Sequence, residues 1–64
     1  MKSVAERIKE ARLEKGLSQS ALAAACGISD STIQMYEAGM RVPRDSIKKV
    51  LSAVLDKPIQ DLFF

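Results

Sequence analysis

Residues 19–38 read Gln19-Ser20-Ala21-Leu22-Ala23-Ala24-Ala25-Cys26-Gly27-Ile28-Ser29-Asp30-Ser31-Thr32-Ile33-Gln34-Met35-Tyr36-Glu37-Ala38. Counted from Gln19, Leu22 and Ala23 fall at positions four and five, Gly27 at nine, Ile28 at ten, Ile33 at fifteen and Tyr36 at eighteen. Two short helices that cross at roughly 90–120° over a tight turn need these residue types at these places. Ala23 is small where the helices touch. Gly27 adopts a left-handed backbone at the turn without steric cost. Ile28, Ile33 and Tyr36 give the second helix an apolar side with which to hold the rest of the chain. Six positions agree at once, which makes the signal specific.

That combination is the helix-turn-helix pattern, over about residues 18–38; the plainer alternative is an ordinary helical hairpin. The flanking punctuation is also helical. Ser18 caps the first helix of the pair and Gly27 stops it, while Ser29 caps the second and Gly39 lies past its end. Upstream, Ser3-x-x-Glu6 is a capping box, and Val4, Ile8 and Ala11 recur on one helical face up to Gly16. Leu17 is expected to close over that helix end. Downstream, Met40-Arg41-Val42-Pro43 is a short connection. A fourth helix starts at Arg44 or Asp45 and carries Ile47, Val50, Leu51, Val54 and Leu55. Asp56-Lys57-Pro58 breaks it, and Pro58 suits the first turn of a last short helix with Ile59, Leu62 and Phe63. Nothing alternates as a strand would. The expectation is an all-α fold, a compact five-helix bundle, in one domain over residues 1–64.

Sixty-four residues allow one small core, and such a core rarely supplies more than ~3–5 kcal/mol. One cysteine and no histidine leave no disulfide pair and no Cys/His metal set, so no cofactor is implied. No nucleophile–base pair, carboxylate dyad or phosphate-binding loop is present, which argues against an enzyme. No apolar run is long enough to span a bilayer, and the N-terminus does not read as a signal peptide, so the expected location is cytoplasmic. The net charge is +2, but it is unevenly placed. Residues 1–17 carry +2, residues 18–38 carry −2 with no basic residue, residues 39–44 carry +2, and residues 45–64 balance to zero.

Several motifs carry a family resemblance: Gly16-Leu17-Ser18-Gln19, Leu22-Ala23, Gly27-Ile28-Ser29, Ser31-Thr32-Ile33, Tyr36-Glu37-Ala38-Gly39 and Arg41-Val42-Pro43. Over about residues 4–63 the chain resembles the Cro/CI-type phage repressor domain, also called the xenobiotic-response-element helix-turn-helix family. The resemblance implies a lambda-repressor-like five-helix bundle that binds double-stranded DNA as a dimer, with the third helix in the major groove. It implies that Gln19 contacts phosphate and that Arg12 and Glu37 pair inside the fold. The sequence departs from the family at Lys48 and Lys49, where many members are more apolar. No ligand-sensing or protease-like second domain is expected within these 64 residues.

Helical geometry then nominates the reading face. At 100° per residue, with Ile33 inward, Ser31 and Met35 point nearly opposite it, flanked by Gln34 and Ala38. In a recognition helix over about residues 30–38, the base-contacting candidates are Asp30, Ser31, Gln34 and Met35. Gln34 pairs bidentately with adenine, Ser31 bonds either base type, Met35 meets a thymine methyl and Asp30 accepts from a cytosine amino group. Phosphate contacts are expected at two helix N-termini, with Gln19 and Ser20 at one, and Asp30 and Ser31 at the other. Charge arrives from the rims, through Arg41, Arg44 and either Arg12 or Lys9. Cys26 reads as a small core residue. Lys48, Lys49 and Lys57 read as a solvated face. Phe63 and Phe64 are candidates for contact across a two-fold axis.

The preferred reading is a sequence-specific regulator, a repressor of phage or mobile-element type. It acts as a homodimer on a palindromic operator, without a membrane partner, and blocks or touches RNA polymerase. Its setting is the nucleoid of a bacterial or phage-infected cell. The alternative is a protein-interaction module that uses the same helix-turn-helix face, a reading kept alive by the acidic middle block.

Overall fold

Three serine–glycine brackets organise the first two thirds of the computed structural model, which describes residues 2–64. Helix α1 spans Val4–Glu14, α2 Gln19–Cys26 and α3 Asp30–Glu37. Each starts at a serine with extended backbone: the Oγ atoms of Ser3, Ser18 and Ser29 accept the amides of Glu6, Ala21 and Thr32. The capping box of α1 closes in both directions. Each of the three helices ends at a glycine with φ of +70° to +74°, Gly16, Gly27 and Gly39. The next amide then folds back: Leu17 N–H donates to Arg12 O, Ile28 N–H to Ala23 O and Met40 N–H to Met35 O, at 3.1, 3.0 and 2.9 Å. These are Schellman endings, which only a left-handed residue completes cheaply.

Helices α4, Asp45–Leu55, and α5, Ile59–Phe63, complete an all-α fold. Arg44 precedes α4 without a capping side-chain bond. Asp56 ends the helix in the left-handed region at φ 56°. Ser52 Oγ donates to Lys57 O across this turn.

The core takes at least one residue from every helix. Ile8 and Ala11 of α1, Leu22, Ala23 and Cys26 of α2, Ile33 and Tyr36 of α3, Leu51 and Leu55 of α4, and Leu62 and Phe63 of α5 are buried together. Leu17, Ile28, Ile47, Val50, Val54 and Ile59 pack around them half-buried. Burial pushes the Cys26 thiol above its ordinary pKa, so it stays protonated at neutral pH. Helix α3 packs on α1 and α2, while α4 and α5 close the other side.

Two expectations for the C-terminal half need correction. Phe63 is not free for a two-fold contact: it is 8% exposed and belongs to the core, because α5 turns its Leu62–Phe63 edge inward. Phe64, by contrast, is 80% exposed. Lys48 is not a solvated residue either. Its side chain is 20% exposed, with Nζ 5.5 Å from the Phe63 ring centroid and 5.4 Å from that of Phe64. A lysine stem packs readily on apolar surface while its ammonium faces aromatic rings.

Candidate nucleic-acid interface

The frame behind α3 is polar. Arg12 Nε donates to Glu37 Oε2 at 2.7 Å and Nη2 to Glu37 Oε1 at 3.1 Å, joining α1 to the last turn of α3. Arg12 Nη1 donates to Leu17 O at 2.9 Å, and Gln19 Nε2 adds a third bond to Glu37 at 3.2 Å. The Arg12 and Glu37 side chains are 9% and 5% exposed. A planar guanidinium suits such a forked pair, and its third nitrogen donates to the backbone. Among the described residues, every buried side-chain nitrogen and oxygen has a partner.

This network changes two site expectations. Arg12 does not present its charge to a phosphate, because its guanidinium is buried and engaged on three sides. Gln19 is half-buried and its amide points into the fold, which leaves its main-chain N–H at the start of α2 as the group that can meet a phosphate. A further link is absent from the sequence expectations. Ser20 Oγ donates to Asp30 Oδ2, tying the N-terminal turns of α2 and α3 to each other. Spacing within either helix cannot show this bond, because it crosses the turn.

Beyond Asp30 at its first position, the outward face of α3 is uncharged. Ser31, Gln34, Met35 and Ala38 are exposed, on the side opposite buried Ile33 and Tyr36. Ser31 Oγ lies 3.2 Å from Ser29 Oγ. Ser31, Gln34, Met35 and Ala38 line a shallow depression together with Met40. Sequence reasoning treats Met40 only as connection. A signal for it exists: a residue that follows a helix-ending glycine commonly packs back on the residue five positions earlier, here Met35.

A basic group, Arg41, stands beside the C-terminal end of α3. Arg41 is exposed and lines a groove with Tyr36, Ala38 and Gly39 of the α3 end and Val4 and Ala5 of α1. Arg44 and Lys9 are exposed as well. The acidic balance of residues 18–38 is smaller in effect than in count. Glu37 is neutralised by Arg12, and Asp30 is the acidic side chain of that block left facing outward.

A helix-turn-helix family model matches residues 8–62. Among solved structures, the restriction-modification controller protein C.AhdI from Aeromonas hydrophila superposes with a TM-score of 0.87. It is 33% identical, over 94% of this chain and 91% of that one. SinR, described as the master regulator for biofilm formation and solved in complex with DNA, also superposes at 0.87. It is 35% identical, over 92% of this chain and 95% of that one. No curated protein sequence matches the chain. With the motif, the five-helix frame and these likenesses in agreement, the chain belongs to the Cro/CI-type helix-turn-helix family, a family of non-enzymatic, DNA-binding transcription regulators.

Proposed function

We propose that this chain is a transcriptional repressor that binds a two-fold symmetric operator as a homodimer, with α3 in the major groove of each half-site. The supporting observation is the outward face of α3, where uncharged side chains stand free while the opposite side is fixed in the core. Gln34 reads adenine, Ser31 bonds a neighbouring base and Met35 takes a thymine methyl. Asp30 accepts from a cytosine amino group when Ser20 releases it. The main-chain amides of Gln19 and Ser20, the Ser20 hydroxyl, and the Arg41 and Arg44 guanidinia hold phosphates and set the register.

One copy touches few base pairs, so two copies on half-sites one helical turn apart supply the specificity. Phe64, an exposed ring beside Lys48, is the proposed contact across the two-fold axis. Bound there, the dimer blocks RNA polymerase or meets it directly, at the nucleoid of a bacterial or phage-infected cell. The interaction-module reading loses its main support, because one of the two acidic charges behind it is cancelled inside the fold.

Selection from random duplexes tests the proposal. A palindromic motif with half-site centres ~10 base pairs apart is expected. Arg41→Ala and Arg44→Ala should each lower the salt slope by roughly 0.9 for every phosphate left without its cation. Failure to enrich any sequence would remove the operator. A mass measurement that finds only monomer, on and off DNA, would remove the dimer.

A further inference from the structure

We infer that Met40, outside the recognition helix, acts with Met35 as a reader of the pyrimidine C5-methyl group, so that one operator position is specified by the methyl of thymine. The inference rests on the proposed mode of DNA binding and adds to it a residue and a chemical preference.

The three Schellman endings make the case by contrast. Each places one apolar side chain immediately after its glycine, Leu17, Ile28 and Met40. Leu17 and Ile28 turn inward and pack half-buried on the core. Met40 is held by the same backbone turn, with its N–H on Met35 O, yet remains 77% exposed. It therefore contributes little to the core. Its neighbours in the depression are Ser31, Gln34, Met35 and Ala38, the reading face itself.

No charged side chain lines this depression, although 28% of the residues in the chain are charged. Met35, Ala38 and Met40 give it a mainly apolar lining, which an apolar, neutral group matches better than a phosphate does. In the major groove, the apolar group a base pair offers is the thymine C5-methyl. Two thioether side chains suit it, being unbranched, polarizable and able to adjust around a single methyl. Gln34, on the rim, is the residue type that pairs with adenine. The pattern is thus a polar reader and an apolar reader side by side, tuned to A·T pairs.

Deoxyuridine differs from thymidine only by this methyl and isolates it. On the selected operator, each thymine of a half-site is replaced singly by deoxyuridine and affinity is measured. At one position per half-site the affinity should fall about fourfold, the value of one buried carbon. In Met40→Ala the thymine-to-uracil ratio at that position should drop towards one, with the melting temperature unchanged. Met35→Ala should do the same. Equal affinity for every uracil substitution would overturn the inference while leaving DNA binding intact. So would a Met40→Ala protein that weakens on both operators alike, since Met40 would then touch only the sugar–phosphate backbone. A chain that selects no sequence at all would defeat the proposed function first and this inference with it.

Discussion

The first three helices and the last two reach the same regularity by different means. α1, α2 and α3 each begin on a serine hydroxyl that caps and end at a left-handed glycine. α4 begins on Arg44 with no capping bond and ends on Asp56, which occupies the left-handed region without being glycine. α5 follows Pro58, also uncapped. What holds these two is burial of Leu51, Leu55, Leu62 and Phe63. The first three helices are therefore bounded at both ends by local signals, whereas α4 has such closure only at its C-terminal end, through Ser52 and Lys57, and otherwise relies with α5 on the surface it covers.

The largest test asks whether the first three helices also need a long-range tie. Arg12→Ala leaves Glu37 buried beside Gln19 without a cation, at a cost of about 3–5 kcal/mol. That is comparable with the whole stability of such a domain, so circular dichroism should find the variant largely unfolded at room temperature. Replacing both partners by apolar residues, Arg12→Met with Glu37→Leu, should restore folding. Next, Leu51→Ala, at a site with no exposure, should cost about 2–5 kcal/mol in urea denaturation, since burial is what α4 relies on.

Helix ends come third. Gly27→Ala has room for its Cβ but must hold φ +70°, so a loss of about 1–2 kcal/mol is expected. Asp56→Gly runs the same change backwards and should stabilise by up to about 1 kcal/mol. The smallest effects are at the caps. Ser29→Ala should cost about 1 kcal/mol. Arg44→Ser, which supplies the cap that α4 lacks, should gain somewhat less. The same variant should bind DNA more weakly, because Arg44 is a proposed phosphate contact. If Arg44→Ser left thermal stability unchanged, the contrast between the two halves would lose its local basis.

Much of this architecture is legible in the sequence, because it is written in neighbours. Ser3, Ser18 and Ser29 act within three residues, and Gly16, Gly27 and Gly39 within five, so the helix boundaries follow from the chain itself. The face of α3 follows too, since 100° per residue fixes Gln34 away from the core once Ile33 is placed. The features that escape are those made by segments meeting from a distance. Lys48 is covered by rings fifteen and sixteen residues later. Ser20 finds Asp30 across the turn, and the amide of Gln19 finds Glu37 at the far end of the next helix. The family resemblance supplies the Arg12–Glu37 pair, which spacing alone does not give. The depth of its burial, which takes Arg12 out of the phosphate set, emerges only in three dimensions.

The free standing of Ser31, Gln34, Met35 and Met40 has a consequence for how such a regulator diversifies. None of the four belongs to the core, and none closes the bonds that orient α3. Their identities can change while every buried neighbour stays in place, so under the proposed mode of binding a few substitutions would exchange one operator for another at nearly constant stability. In that proposed mode recognition and folding draw on separate residues, and selection can act on the first while the second stays fixed.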